Sequence, residues 1–300
     1  MKNILVIKLS ALGDFIQALG PMQAIRKAYP EAKITILTTK PFVSFAEKSG
    51  YFDDIIVDER PRFYQLSKWF DLKSKLSAVA YDDVFDLQNN SRVRKYYRPL
   101  LQKGFVWHSI LNELERKEHA SIRHKRILAR AGINDVPLDQ MEWAGQDTDL
   151  KALGVAAPYM LIVPGCDPTR PEKRWPAERY ASIAQYFADK AIQPVIIGTK
   201  DEAKEAEIIK SACADALSLI GKTSLFDIPA LGRDAVMAVG NDTGPMHMIG
   251  PTGCKTLVLF SYASDPVKHA PVGADIKTLR KPELTSLSVD DVIQMIADWS

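Results

Sequence analysis

Cysteine is scarce in this chain: three residues in 300, Cys166, Cys213 and Cys254, lie far apart with no CxxC or Cys/His ligand spacing. That excludes a disulfide scaffold and a zinc site, and fits a reducing, cytoplasmic compartment. Long apolar runs are missing too. The opening Met1-Lys-Asn-Ile-Leu-Val-Ile-Lys8 is too short for a signal peptide, and no stretch reaches the roughly 20 apolar residues that span a bilayer. Neither sign of charge dominates: the net charge is +2, so the total implies no polyanion partner. Repeats, low-complexity segments and nucleic-acid motifs are absent as well. What is present is a soluble globular composition, 46% hydrophobic and 25% charged, in a chain long enough for two domains with separate cores.

Short apolar runs alternate with helical spacing along both halves. In the first, Ile4 to Ile7, Ile34 to Leu37, Asp54 to Val57, Val84 to Leu87 and Gly104 to Trp107 read as strands. Phe15, Ala18, Leu19, Met22 and Ile25 predict one helix running to Tyr29-Pro30, Pro41 opens another, and helical material covers Tyr64 to Ala80. Gly132 to Pro158 has Pro and Gly among acidic residues and reads as a linker. The alternation then restarts, with strands at Met160 to Val163, Pro194 to Ile197, Ala235 to Val239 and Lys255 to Phe260. Helices are expected over Ala177 to Lys190, over Asp201 to Cys213 and, capped by Ser288, over Val289 to Trp299. This pattern predicts an α/β protein of two doubly wound parallel halves, 1–150 and 151–300, with the last helix free to pack back on the first half. Ligands of such sheets bind beyond the carboxyl ends of the strands, so the cleft between the halves is the expected site.

The chain is organised around Ala235-Val-Met-Ala-Val-Gly-Asn-Asp-Thr-Gly-Pro-Met-His247. An apolar strand ends at Gly240-Asn241, small polar residues follow, and Pro245 suits the first residue of a helix that Asp242 or Thr243 can cap. Backbone N–H groups at such a turn receive anions, phosphate above all. An ordinary strand-to-helix turn, with His247 a satisfied core histidine, reads the same residues without a ligand.

Other strand ends carry charge. Asp14, in a Leu-Gly-Asp turn after the first strand, is either a helix cap or a general base at the cleft edge. Arg170, Lys173 and Arg174 precede Trp175-Pro176, where cations at a helix start conflict with its dipole unless an anion joins them. In Gly198-Thr-Lys-Asp-Glu202, Asp201 and Glu202 look like helix-capping acids, and a carboxylate there could also accept hydrogen bonds from a ribose. Two basic stretches mark the first half: Arg92-Val-Arg-Lys-Tyr-Tyr-Arg98, and the run from Arg116 to Arg130. They are either solvated helix faces or contacts to an anionic acceptor or membrane surface, and not to nucleic acid.

Taken together, Lys8-Leu-Ser-Ala-Leu-Gly-Asp14, Asp86-Leu-Gln88, Lys173-Arg-Trp-Pro176, Gly240-Asn-Asp-Thr-Gly-Pro-Met-His247 and the Phe260-to-Pro271 segment resemble glycosyltransferase family 9, the ADP-heptose:lipopolysaccharide heptosyltransferases. The resemblance covers almost the whole chain. It implies a GT-B fold of two Rossmann-like domains facing across a cleft, acceptor on the first and nucleotide sugar on the second. It also implies that Asp14 is the catalytic base and that Lys173 holds the donor phosphates. Asp242, Thr243, Gly244 and His247 match the donor loop, and Glu202 the ribose-binding acid. Gly13, Arg170, Arg174, Thr199, Pro245 and Met246 complete the expected donor set. Gln88, Arg92 and Arg94 are the expected acceptor contacts.

The implied chemistry is a single in-line displacement. An acceptor hydroxyl attacks the anomeric carbon of an ADP-sugar, Asp14 takes the proton, and Lys173 with the loop amides stabilises the departing diphosphate. No cofactor and no metal are expected, because Asp82-Asp83 and Asp53-Asp54 do not form the Asp-x-Asp motif of GT-A enzymes. The expected partners are an ADP-sugar and a lipid-linked anionic saccharide, at a cytoplasmic location with room for peripheral contact at the inner membrane. Two rivals share the fold class. A nicotinamide or flavin oxidoreductase would need GxGxxG where Ser10-Ala-Leu-Gly13 stands. A non-catalytic nucleotide-sugar-binding protein would keep residues 242–247 and need no base at Asp14.

Overall fold

The computed structural model describes residues 1–299 and divides into two compact units, residues 1–139 and the chain from Gln140 onward. The division falls inside the Gly132 to Pro158 stretch, ahead of the boundary drawn at 150. Among the described residues no helix is long and apolar enough to cross a membrane.

The first unit carries β1 (Asn3–Ile7), β2 (Lys33–Thr38), β3 (Asp54–Val57), β4 (Asp83–Asp86) and β5 (Val106–His108). They form a parallel sheet in the order β3-β2-β1-β4-β5. Its strands read as near-continuous apolar runs because helices cover both faces: Ile4, Leu5, Val6 and Ile7 are fully buried. The helices are α1 (Leu12–Ile16), α2 (Leu19–Ala28), α3 (Val43–Ser49), α4 (Leu66–Ser77), α5 (Glu113–Arg116) and α6 (Ala120–Arg130). The single helix expected from Phe15 to Tyr29 is two. Pro21 has no N–H to give the Gln17 carbonyl and its ring would clash there, so it is accommodated in the first turn of a new helix at Leu19.

The second unit carries β6 (Tyr159–Val163), β7 (Gln193–Ile196), β8 (Leu217–Ser218), β9 (Met237–Asn241), β10 (Thr256–Phe260) and β11 (Ile276–Arg280), parallel in the order β11-β10-β9-β6-β7-β8. Around them lie α7 (Ala177–Ala188), α8 (Ala203–Ala212), α9 (Asp227–Asp234), α10 (Gly244–Ile249), α11 (Pro266–His269) and α12 (Val289–Ala297). The strand expected to stop at Val239 runs on through Gly240 and Asn241. Gly240 pairs with Val163, and a Cβ on it would lie 2.7 Å from the Val163 Cβ and 2.6 Å from the Met246 sulfur, so only glycine continues the strand there. The helix expected from Asp201 begins as a 3₁₀ turn, Lys200–Glu202. As expected, Ser288 caps α12: its Oγ accepts the Asp291 N–H at 3.0 Å. Val292 then packs into the core of this unit beside residues of α7.

In both sheets the strand order reverses beside the first strand of the unit, between β1 and β4 and between β6 and β9. Those carboxyl ends are where a doubly wound sheet leaves room for a ligand.

Candidate functional site

At the second sheet's reversal point the organising residue is Asn241, fully buried at the end of β9. Its Nδ2 donates to the carbonyls of Pro164 at 2.7 Å and Gly165 at 3.2 Å. Its Oδ1 accepts the Trp175 N–H at 3.1 Å and the Tyr180 hydroxyl at 2.9 Å. One amide thus ties β9, the loop after β6 and the start of α7 together, with both donors and both acceptor positions satisfied. Trp175, fully buried, donates its indole N–H to Leu287 and stands edge-on to Tyr180. The residue two before it, Lys173, is thereby held at the strand ends.

Lys173 Nζ lies 2.5 Å from Asp242 Oδ2, and the two side chains are only 12% and 8% exposed. His247 Nε2 stands 4.0 Å from the other Asp242 oxygen. The expected Asp242 or Thr243 side-chain cap on α10 does not form: Asp242 pairs with Lys173, and the Thr243 side chain makes no cap hydrogen bond. Pro245 is the second helical residue, after Gly244, and Met246 is buried beneath Gly240.

The other expected donor contacts divide. Arg170 reaches the Ala263 carbonyl at 2.7 Å and Glu172 at 3.3 Å. Arg174 pairs with Glu205 at 2.5 Å, while its Nε and the second Glu205 oxygen are buried without a protein partner. Glu205, on the first turn of α8, carried no signal in the sequence beyond a helix acid. Glu202 takes the capping role: it accepts the Thr199 N–H at 2.8 Å and the Thr199 hydroxyl at 2.9 Å. It is buried against Gly165, whose absent side chain leaves the carboxylate its space.

At the first sheet's reversal point the loop after β1 is held by residues after β4. Gln88 Oε1 accepts the N–H groups of Leu9 at 2.7 Å and Ser10 at 3.1 Å. Lys8 is buried, with Nζ donating to the Leu87 carbonyl at 3.2 Å, and burial lowers its pKa to about 8. Asp86 accepts from the Gln88 and Asn89 N–H groups, yet its burial raises its pKa to about 6. His124 of α6 donates from Nε2 to the same Leu87 carbonyl, and burial pushes its pKa down to about 3.

Asp14, with Gly13 before it, lies in the first turn of α1, where its carboxylate reaches back to the Ala11 N–H at 3.4 Å. It is half-buried and acts electrostatically on both Lys8 and Arg123. Arg60 adds a further cation to the loop, donating to the Ser10 hydroxyl at 2.5 Å and the Leu9 carbonyl at 3.2 Å. Arg60 and Arg123 are brought here by tertiary contacts that no local spacing signals.

Of the expected acceptor contacts, Gln88 is bound to the β1 loop. Arg92 is also engaged: Nε donates to the Tyr97 hydroxyl and Nη2 to the Pro61 carbonyl, each at 2.6 Å. Its guanidinium lies over the Trp69 and Tyr97 rings. Arg94 is exposed. Among the described residues no three His, Cys, Asp or Glu side chains converge as metal ligands.

The family model described as glycosyltransferase family 9 (heptosyltransferase) matches residues 69–292. Lipopolysaccharide core heptosyltransferase OpsX of Haemophilus influenzae is 24% identical over 291 residues, covering 90% of this chain and 82% of that protein. Lipopolysaccharide heptosyltransferase 1 of Escherichia coli O18:K1:H7 is 22% identical, over 99% of this chain and 97% of its own. Among solved structures, a family 9 glycosyl transferase from Veillonella parvula superposes with a TM-score of 0.79 at 21% identity, covering 99% of this chain and 97% of that one. The E. coli heptosyltransferase WaaC, solved with ADP, gives 0.78 at 19% identity, covering 99% and 100%. The likeness of these structures is one of fold.

Proposed function

Because this chain belongs to glycosyltransferase family 9, the heptosyltransferases, we propose that it transfers a heptose or closely related sugar from ADP-heptose to a hydroxyl of a lipopolysaccharide core acceptor, with inversion and without a metal. The observation that carries the reading is Lys173, a nearly buried cation held on Asp242 beside His247 at a strand-order reversal. A buried, pre-positioned ammonium is what a departing diphosphate requires.

In this reaction the acceptor oxygen bonds to the anomeric carbon as the bond to the diphosphate breaks. The electron pair leaves with ADP, and the hydroxyl proton passes to Asp14. Lys173 and the amides at Thr243 and Gly244 meet the charge growing on the diphosphate, with His247 beside them. Lys8, Arg60 and Arg123 surround the loop that carries Asp14 and favour an anionic acceptor. Glu202 and Thr199 hold each other and shape the ribose end of the site. The enzyme works at the cytoplasmic face of the inner membrane, on a lipid-linked substrate.

A non-catalytic nucleotide-sugar-binding protein is the second reading, favoured by one observation: Asp14 already serves its own helix by reaching back to Ala11. Calorimetry with ADP, UDP and GDP, each with and without magnesium, combined with a transfer assay on lipid-linked core saccharide, decides between them. The transferase binds ADP best, ignores magnesium and releases ADP in step with product. ADP binding with no transfer to any core acceptor leaves the binding protein.

A further inference from the structure

The first unit exposes aromatic and aliphatic side chains that its own core does not use. Phe63 is 86% exposed, Phe70 69%, Leu66 63%, Tyr64 58% and Tyr96 55%. Leu66, Phe70 and Lys73 recur at helical spacing on the outer face of α4, opposite the buried Leu72 and Leu76. A helix of a soluble domain normally turns polar residues outward at such positions.

The patch is held in shape. Gln65 Oε1 accepts the Arg62 N–H at 2.9 Å, the Trp69 indole donates to the Arg62 carbonyl at 3.1 Å, and Phe63 and Tyr64 stand edge to face. Beside it a hollow of about 330 Å³ opens between Leu66, Trp69 and Phe70 of α4 and Tyr96 and Leu100, with Lys73 and Lys95 at its margin. Lys68 and Lys75 have carboxylate partners in Glu59 and Asp71, whereas Lys73 and Lys95 carry no such pair among the described residues.

We propose that this face, Phe63 to Lys73 with Lys95 and Tyr96, docks the protein on an anionic lipid bilayer. The aromatic and aliphatic side chains enter the headgroup layer and the two unpaired lysines meet lipid phosphates. An apolar face rimmed by lysine, with Trp and Tyr at its edge, has the chemistry of an element lying in the membrane interface. The charge complementarity selects an anionic surface over another soluble protein. The two segments that build the face follow β3 and β4, so it lies at the carboxyl end of the sheet that also carries Asp14. The inference rests on the function proposed above only for why a lipid surface matters; the docking is physically independent of catalysis.

The test is co-sedimentation of the full chain with vesicles of phosphatidylglycerol and phosphatidylethanolamine, and with vesicles of phosphatidylcholine alone. The native protein partitions onto the anionic vesicles and much less onto the neutral ones, and added salt weakens the binding. The double substitution Phe63→Ser and Phe70→Ser lowers partitioning by at least about tenfold, because two aromatic anchors are lost. The pair Lys73→Glu and Lys95→Glu lowers it on the anionic vesicles. Both variants keep the native melting temperature, ADP affinity and transfer to a soluble, delipidated acceptor. Undiminished vesicle binding by the serine variant overturns the proposal. So does a native protein that ignores vesicles, including one that forms a concentration-dependent dimer abolished by the serine variant, since the face then belongs to a second copy. Either failure with transfer intact removes the docking surface and leaves the transferase standing.

Discussion

Lys173 and Asp242 form a pair whose structural role and proposed functional role can be separated. With side chains 12% and 8% exposed, each is buried by the other's charge. Lys173→Ala leaves a buried carboxylate unpaired, which costs about 3–5 kcal/mol of stability. The double variant Lys173→Ala with Asp242→Asn recovers most of that loss but not ADP binding, because the contact to phosphate, about 1.5–3 kcal/mol, is gone. Denaturation and calorimetry on both variants separate the two effects; ADP affinity restored in the double variant would show that Lys173 only props the loop. At Asp14, Asn keeps a side-chain oxygen for the Ala11 N–H but cannot take a proton. Asp14→Asn therefore keeps its fold and donor affinity while transfer falls by about 10²–10⁴-fold. Near-native turnover in this variant would remove Asp14 as the base. His124 offers a pH prediction. Its pKa is about 3 in the folded protein against 6.5 for the free side chain. The unfolded chain thus binds the extra proton between these values, and this contribution to stability is full above pH 6.5 and is lost as the pH falls toward 3. Asp86, raised to about 6 from 3.8, acts in the opposite direction over its own interval. Comparing native protein with His124→Phe from pH 7 to 4 isolates the histidine: the native protein loses stability relative to the variant as acid is added.

The elements explain why these residues stay where they are. Gly240 lets β9 continue against β6 and delivers Asn241, which in turn holds the Lys173 loop. Gly240→Ala forces a Cβ to 2.7 Å from the Val163 Cβ, and overpacking of this kind costs about 1–3 kcal/mol. ADP affinity should fall with it, as calorimetry would show; an unchanged affinity would mean that Asn241 tolerates the shift. In the first unit, the segment from Arg92 to Arg98 is not a uniform basic face. Arg92 cross-links Tyr97 to the Pro61 carbonyl, while Arg94 points to solvent. Arg92→Glu therefore lowers stability, and only Arg94→Glu cleanly tests the acceptor contact. The expected result is a higher KM for an anionic acceptor, an unchanged KM for a neutral analogue and unchanged ADP binding. Equal effects on both acceptors would make Arg94 a solvated helix residue.

At the scale of the whole molecule, each unit has its own apolar cluster, one around β1, β4 and α4 and the other around β6, β7 and α7. Separate cores give separate cooperative units. Differential scanning calorimetry should resolve two transitions, and ADP at about 100 times its Kd should stabilise the one belonging to the second unit by about 2.7 kcal/mol. A single transition shifted as a whole by ADP would mean that the units unfold together.

Much of this was legible in the chain, for identifiable reasons. Strands such as Ile4 to Ile7 and Met160 to Val163 are short apolar runs because both sheet faces are covered, and that pattern needs no tertiary information. The Ser288 cap is equally local. The motifs around Asp14, Lys173 and Asp242 to His247 resemble those of the family as runs of sequence, and the family model confirms the membership. What only the tertiary structure decided is which partner each polar group takes. The sequence around Asp242 allows a helix cap; the fold turns its carboxylate to Lys173, 69 residues away. Arg92, expected as an acceptor contact, is engaged with Tyr97 and Pro61, and Asn241, expected in a turn, ties β9, the loop after β6 and the start of α7 together. Arg60 and Arg123 join the Asp14 loop from the segment after β3 and from α6. A hydrogen bond or ion pair is chosen by distance in space, and sequence spacing reports distance only within a helix, a strand or a turn.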